Sequence, residues 1–304
     1  MCTFNGEAFL EEQLDSILLQ SYPISEFLIF DDCSTDNTAV IIKQYCEKYP
    51  FIRFHQNERN LGYNLNFEQA LRAAKSEVIA IADQDDYWHR EKIAKMIKAW
   101  KDDTLMIYCD SFRFTGPIPT ITNSNPWYRR FEGTDPRKLF LYNTISGHAM
   151  LIKRALLPLV LPFKEGTYYD WWMGVIAACN GGVSYSSDIL VYQRVHERNV
   201  SITTGTKRSK SKDRHLYKLI VHRHLQQFIK IPNMPAEHRK FGITFYEHWH
   251  KSSSQRFHFP LFIFLLKNGT ILFWYKKRKV GFISQLKHSF LLTRNPYANA
   301  TSLL

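Results

Sequence analysis

The chain has 304 residues, 45% hydrophobic and 22% charged, which allows one large α/β domain or a domain plus an appendage and excludes a disordered chain. Its five cysteines include no C-x-x-C pair and are odd in number, which argues against a disulfide framework or a zinc site and fits a reducing compartment. The net charge of +12 is uneven: residues 1–205 carry 21 Lys+Arg and 25 Asp+Glu, residues 206–304 carry 19 and 3, so a mildly acidic body precedes a basic tail suited to nucleic acid or an anionic membrane.

The opening MCTFNGEAFLEEQL has acidic residues where a secretory leader has a basic region, so no leader is expected. Phe9, Leu10, Leu14, Ile17 and Leu18 recur at helical spacing and predict a helix over 7–20. EFLIFDD (26–32) reads as a buried strand, and STDNTAVIIKQYCEKY (34–49) as a helix capped by Asp36. FIRFHQN (51–57) alternates as a strand, and NLGYNLNFEQALRAAK (60–75) is a Gly turn followed by a helix. VIAIAD (78–83) is another buried strand, and REKIAKMIKAWK (90–101) another helix. Strands alternating with helices predict βαβ units and a mostly parallel sheet, with the ligand site beyond the carboxyl ends of the strands.

Further on, 105–114 reads as a strand, 116–126 as a Pro/Asn/Thr-rich loop, 139–157 as a mixture, 168–181 as an apolar helix and 183–196 as a strand. Residues 203–214 read as a basic linker, and the remainder as helices rich in His, Lys and aromatics. The division predicted is a catalytic domain over 1–205 and a basic helical region over 206–304. FHFPLFIFLLKNGTILFWY (257–275) is split by Lys267, Asn268 and Gly269, and a mid-bilayer Lys costs roughly 2.5–3.5 kcal/mol, so it reads as interfacial or re-entrant rather than spanning. Lys276, Lys277, Arg278 and Lys279 follow it, and the pair suggests an element lying on an anionic leaflet; a buried helical pair with a solvated basic turn is the alternative.

Three acids crowd the end of VIAIADQDDYW: Asp83, Asp85 and Asp86. Asp83 and Asp85 can present oxygens to one hard divalent cation, or Asp85 or Asp86 can cap the next helix; Asp86 suits the cap best. Asp31 and Asp32 stand equivalently after EFLIF, placed for a nucleobase N–H or a ribose hydroxyl, or for local turn chemistry. Thr3, Asn5, Gly6 and Glu7 form a Gly turn at a helix start, a place that takes phosphate or ribose.

TFNGEAFLEEQLDSILLQSY, FDDCSTDNT, NLGYNLNFEQAL and IADQDDYW, in this order and spacing, resemble glycosyltransferase family 2 over about residues 2–200, and most nearly its bacterial rhamnosyltransferase-type members of polysaccharide assembly. The resemblance implies a GT-A fold, a nucleotide-sugar donor, an inverting transfer to a lipid-linked or glycan acceptor, and a divalent metal, Mg²⁺ or Mn²⁺. It implies donor contacts from Thr3, Asn5, Glu7, Asp31, Asp32, Gly62 and Asp83, and a metal held by Asp83, Asp85 and a late His196. Asp170 in YYDWWMGVIAA matches the family's base. Gly147 and His148 in ISGHAML match the segment before it, and Trp171 and Trp172 offer an apolar wall to a sugar. A helix N-terminal acid and core tryptophans remain alternatives. The enzyme is expected in the cytoplasm, peripheral on the inner face of the membrane.

Two other classes compete. A metal-dependent nucleotidyltransferase predicts an early Gly/Arg/Lys-rich loop for a triphosphate, which the first 60 residues lack. A non-enzymatic binder of anionic lipid or nucleic acid would use the tail, but the tail has no recognisable nucleic-acid motif, so nucleic acid is not an expected partner. One departure from the family stands out: only Met1 and Cys2 precede Thr3, where a central strand has about five or six residues. A clipped first strand, or a start lying upstream, is expected, with poor stability of the chain as written.

Overall fold

Short apolar runs that end in charge build the first sheet of the structure, a computed structural model that describes residues 1–120, 128–196, 210–277 and 281–295. β1 (Cys2–Thr3), β2 (Phe27–Asp31) and β3 (Ile52–Gln56) are parallel and lie in that order. Their register sets Thr3 opposite Asp31 and Asp31 opposite Gln56, so one row of polar residues closes the carboxyl edge. The intervening helices are α1 (Leu10–Leu18) and α2 (Thr38–Lys48), and α3 (Tyr63–Ala73) follows β3. α1 and α2 start later than their periodicity predicts, because side-chain hydrogen bonds hold the preceding residues in loops, while α3 starts right after the predicted Gly turn. Asp36 accepts from Thr38 N at 3.0 Å, the capping role expected of it.

The second sheet contains β4 (Val78–Ala80), β5 (Tyr87–Trp88), β6 (Met106–Phe114), β7 (Met150–Lys153) and β8 (Val183–Arg194), in the order β4-β7-β6-β8-β5. β6 and β8 are parallel, β7 runs antiparallel to β4 and β6, and β5 antiparallel to β8. Cys2 N donates to Ala82 O at 3.4 Å, which joins the two sheets edge to edge. Where β1 does not extend, the edges of β2 and β4 border an apolar cavity of about 380 Å³ lined in part by Met1, Phe67 and Leu71.

Helices cover both faces, the parallel-sheet α/β sandwich predicted. α4 (Lys92–Ala99) joins α1 and α2 on one face, around Leu14, Ile42, Met96 and Ile107. α3 and α6 (Tyr169–Cys179) lie on the other, with the short α5 (Leu157–Val160) before α6, around Phe67, Tyr108, Trp172 and Met173. Alternation along β6 explains the split, since Met106 and Tyr108 enter one core and Ile107 and Cys109 the other. All five cysteines are free thiols.

The tail forms α7 (Lys210–Phe228), α8 (Ala236–Lys251), α9 (Phe259–Lys267), α10 (Gly269–Leu272) and α11 (Phe282–Thr293). One expectation changes here. Residues 210–214 of the supposed linker are the first turn of α7, while 203–209 lie outside the described residues, as do 121–126 of the polar loop and Arg278 and Lys279 of the basic cluster. The segment 257–275 follows the alternative of a buried helical pair on its inner side: Leu261, Leu265, Leu272 and Phe273 are buried in the same core as α6, and the Phe264 ring stacks 5.5 Å from Phe245 of α8. Phe257 and Phe259 at its start stay exposed. No helix among the described residues is long and apolar enough to cross a membrane.

Candidate active site

The acidic loop after β4 is held by its own middle residue. Gln84 Oε1 accepts from Phe4 N at 2.8 Å and its Nε2 donates to Phe4 O at 2.9 Å, so one amide side chain imitates a strand pairing. A Cβ on Gly6 would collide with that amide, which is why glycine stands there. Gln13 Nε2 donates to Asp83 O at 3.1 Å from α1. Beside this clamp, Asn5 (φ 48°) and Cys33 (φ 64°) occupy left-handed backbone that non-glycine residues rarely adopt. Asn5 is fixed there by Thr35 N, which donates to its Oδ1 at 2.8 Å, and by its own N–H on Ser34 Oγ at 2.8 Å. Strain retained in this way is characteristic of binding loops.

The expected donor-side acids are already engaged with the protein. Asp31 is fully buried and accepts from Thr3 Oγ1 at 2.8 Å, Ser34 N at 2.8 Å, Ser34 Oγ at 2.5 Å and Gln56 Nε2 at 3.2 Å. Asp32 accepts from Leu61 N and Gly62 N, both at 2.8 Å, and from Asn57 Nδ2 at 2.9 Å, so it shapes the turn before α3. Gly62 sits at φ 84°, which explains the glycine. Glu7 Oε2 accepts from Asn37 N and Nδ2 at 2.9 Å, tying the first turn to the start of α2. These residues fix the loops at the carboxyl edge of β1 and β2.

The acids predicted to work together do converge. His196, just past β8, pairs its Nε2 with Asp85 Oδ2 at 2.8 Å, and its ring lies 4.8 Å from that of Phe9. Asp83 is pushed up to about 7, first by burial and then by the charges of Asp85 and Asp170. Asp170, in the first turn of α6, is pushed up to about 6 by burial, against hydrogen bonds from Trp171 N at 2.7 Å and Asn143 Nδ2 at 3.1 Å. Its helix start is anchored from two sides: Asn64 Nδ2 donates to Thr167 O at 2.6 Å, and Tyr168 N donates to His224 Nε2 of α7 at 2.9 Å.

Asp86 corrects a prediction. It does not cap α4, which begins six residues later after Glu91 without a side-chain cap. Instead it is 2% exposed, with Oδ2 lacking a hydrogen-bond partner, and burial raises its pKa well above the carboxylate range. A second buried charged residue, Lys92, is not foreseen from the sequence. This lysine is fully buried, donates to His148 O at 3.2 Å and lies 3.3 Å over the Trp88 ring. Burial lowers it to about 7, opposed by Cys109, Asp86 and Asp83. Lys at a helix start reads as a solvated charge; only packing reveals it as an internal cation.

Do these residues suit a divalent ion? Carboxylates with one imidazole suit Mg²⁺ or Mn²⁺. Among the described residues one group of three possible ligands is close-set. Asp83, Asp86 and His148 bring ligand atoms within 4.8 Å of one another, and His148 Nε2 lacks a hydrogen-bond partner. Lys92, however, already supplies positive charge there and would repel a second cation. Asp85 and His196, with side chains 16% and 18% exposed, pair with each other at 2.8 Å, so a carboxylate oxygen and an imidazole nitrogen of the expected set already stand side by side.

The acceptor-side expectations are corrected more broadly. Trp171 and Trp172 are core residues, 3% and 4% exposed, whose indole N–H groups donate to Leu139 O and Val160 O, so they form no open wall. Gly147 is required by the Tyr169 hydroxyl, which fills the place of a Cβ. His148 lies buried behind the acids, pushed down to about 3 by burial. Exposed aromatics do flank Asp170: Tyr63 at the start of α3 and Tyr168 before α6, 41% and 39% exposed, both raised by burial and the Asp170 charge.

A family model described as "Glycosyl transferase family 2" matches residues 1–159. The chain is 33% identical over 114 residues to the putative teichuronic acid biosynthesis glycosyltransferase TuaG of Bacillus subtilis, covering 38% of this chain and 43% of that protein. It is 37% identical over 102 residues to the dTDP-rhamnosyl transferase RfbG of Shigella flexneri, covering 32% and 35%. The matched region thus spans less than half the length of these relatives. Among solved structures, S. aureus TarS 1-349 in complex with UDP-GlcNAc superposes with a TM-score of 0.60 at 18% identity, covering 100% of this chain and 91% of that one. The mannosyltransferase PcManGT of Pyrobaculum calidifontis, in complex with GDP-Man and Mn²⁺, gives 0.56 at 18% identity, covering 99% and 86%. At such identities the likeness establishes the fold.

Proposed function

The chain belongs to glycosyl transferase family 2, and from that premise we propose that it is an inverting, metal-dependent glycosyltransferase of cell-surface polysaccharide synthesis. It takes a sugar, with rhamnose the first candidate, from a nucleoside diphosphate to a hydroxyl of a lipid-linked or glycan acceptor, at the cytoplasmic face of the membrane. RfbG, named a dTDP-rhamnosyl transferase, and TuaG, named for teichuronic acid biosynthesis, support the sugar and the setting.

The observation that supports the reading is the contact of His196 Nε2 with Asp85 Oδ2 at 2.8 Å, which joins the end of β8 to the D-x-D loop, with Asp170 held in the first turn of α6 as the proposed base. Asp170 accepts the proton of the acceptor hydroxyl, and the oxygen attacks the anomeric carbon opposite the departing diphosphate, which inverts the configuration. Asp83, Asp85 and His196 would hold a Mg²⁺ or Mn²⁺, which would supply positive charge for the diphosphate. Asn143 and the Trp171 N–H aim the Asp170 carboxylate, and the Gln84 clamp fixes the spacing of Asp83 and Asp85.

The test is release of nucleoside diphosphate from a panel of nucleotide sugars with Mn²⁺, with and without chelator. Activity on at least one donor that chelation removes and Mn²⁺ restores is expected; chelator-resistant turnover overturns the metal assignment.

A further inference from the structure

α11 leaves a stripe of large apolar side chains in water. Phe282 is 72% exposed, Ile283 81%, Leu286 38% and Phe290 45%, at i, i+1, i+4 and i+8 of one helix. The inward side of the same helix is fixed: Ser289 and Thr293 are buried, and Gln285 Nε2 donates to Leu266 O of α9 at 2.6 Å. Phe257, just before α9, continues the stripe, its ring 5.5 Å from Phe290 and 5.7 Å from Phe262. Phe259, 62% exposed, packs 6.3 Å from Phe262. The α9–α11 hairpin is therefore folded on its inner side and apolar on its outer side. A contiguous patch of this kind marks an interaction surface.

Charge selects the occupant. Residues 248–304 contain nine Lys+Arg and no Asp or Glu. Lys251, Arg256, Lys267, Lys287 and Arg294 are all exposed along the segments that form the hairpin. A second copy of this face would bring like charges together, whereas an anionic bilayer answers both the apolar stripe and its basic surroundings. We propose that the outer face of the α9–α11 hairpin docks on an anionic phospholipid bilayer, with Phe282 and Ile283 entering the acyl boundary. This rests on the membrane-peripheral setting proposed above, and it centres the contact on α11, with only the exposed start of 257–275 beside it.

The full chain is mixed with vesicles of phosphatidylcholine containing phosphatidylglycerol, or of phosphatidylcholine alone, and separated by flotation. Binding at least about tenfold stronger to the anionic vesicles is expected, weakened about tenfold by Phe282→Ser with Ile283→Ser and likewise by Lys287→Glu with Arg256→Glu. The melting temperature and nucleotide-sugar hydrolysis in solution should be unchanged, because these side chains are exposed and absent from the site. Equal partition to both vesicles, or binding indifferent to the Phe282/Ile283 pair, overturns the proposal. So does a dimer in sedimentation that the same pair dissolves, which would assign the face to a second copy. A chain that hydrolyses donors but ignores vesicles refutes only the docking face; one that binds vesicles but processes no nucleotide sugar refutes only the proposed activity.

Discussion

Asp170 carries charge where burial opposes it, so Asp170→Asn is expected to abolish transfer while leaving the fold equally or more stable. Its native pKa of about 6 lies above the ordinary 3.8. Between those values the native state binds more protons than the unfolded chain, so the penalty grows as pH rises through the window and is complete above pH 6. About two pKa units correspond to about 3 kcal/mol as a ceiling, and partial exposure reduces this to about 1–2 kcal/mol. Neutralising the carboxylate also weakens the bonds from Trp171 N and Asn143 Nδ2, which returns about 1 kcal/mol. The net gain at pH 8 is about 0–1 kcal/mol, or about 0–2 °C in Tm for a chain this long, and it should vanish below pH 4. Loss of a base should lower kcat about 10²–10⁴-fold, with donor binding retained. Melting curves at pH 4 and pH 8, with turnover at pH 8, measure both. A Tm fall of more than about 3 °C at pH 8 would make the carboxylate a structural anchor, and near-normal turnover would remove it from the reaction.

Three further outcomes follow from the same geometry. Lys92→Met removes the buried ammonium whose charge opposes those of Asp83 and Asp86 and should cost about 1–3 kcal/mol, with Asp86→Asn in the same chain restoring part of it; thermal denaturation in which the double variant is no more stable than the single would contradict the coupling. Gly6→Ala forces the Gln84 amide aside and should weaken nucleotide-sugar affinity about tenfold in calorimetry, while an unaltered Kd would show that the clamp does not set the site. Tyr168→Ala should raise the acceptor KM with donor hydrolysis unchanged, and an unaffected acceptor KM would exclude this exposed ring from the acceptor path.

Local pattern carried the reading far on one side of the molecule. Period-two and helical spacing located β2, β3, α1, α2 and α3 within a few residues, because each buries one face against its immediate neighbours. Loops displaced the starts of α1 and α2, since bonds such as Glu7 to Asn37 N compete with the first helical turn. Carboxylates placed at strand ends were legible for the same reason: a parallel sheet brings its carboxyl ends to one edge.

The sequence by itself determined the order of strands and helices, the carboxyl-edge position of Asp31, Asp83 and Asp85, and the basic bias of the tail. Tertiary structure decided which groups meet and which face inward. Asp85 finds His196 across 111 residues, and Lys92 finds the backbone of His148 across 56. It also turned Asp86 from a cap into a buried acid, Trp171 and Trp172 from a wall into core, and the inner side of 257–275 into packing for α8, leaving α11 with most of the exposed stripe. Spacing along a chain fixes which residues share a face of an element. What that face meets depends on contacts between distant elements, where burial and desolvation set the cost of every charge.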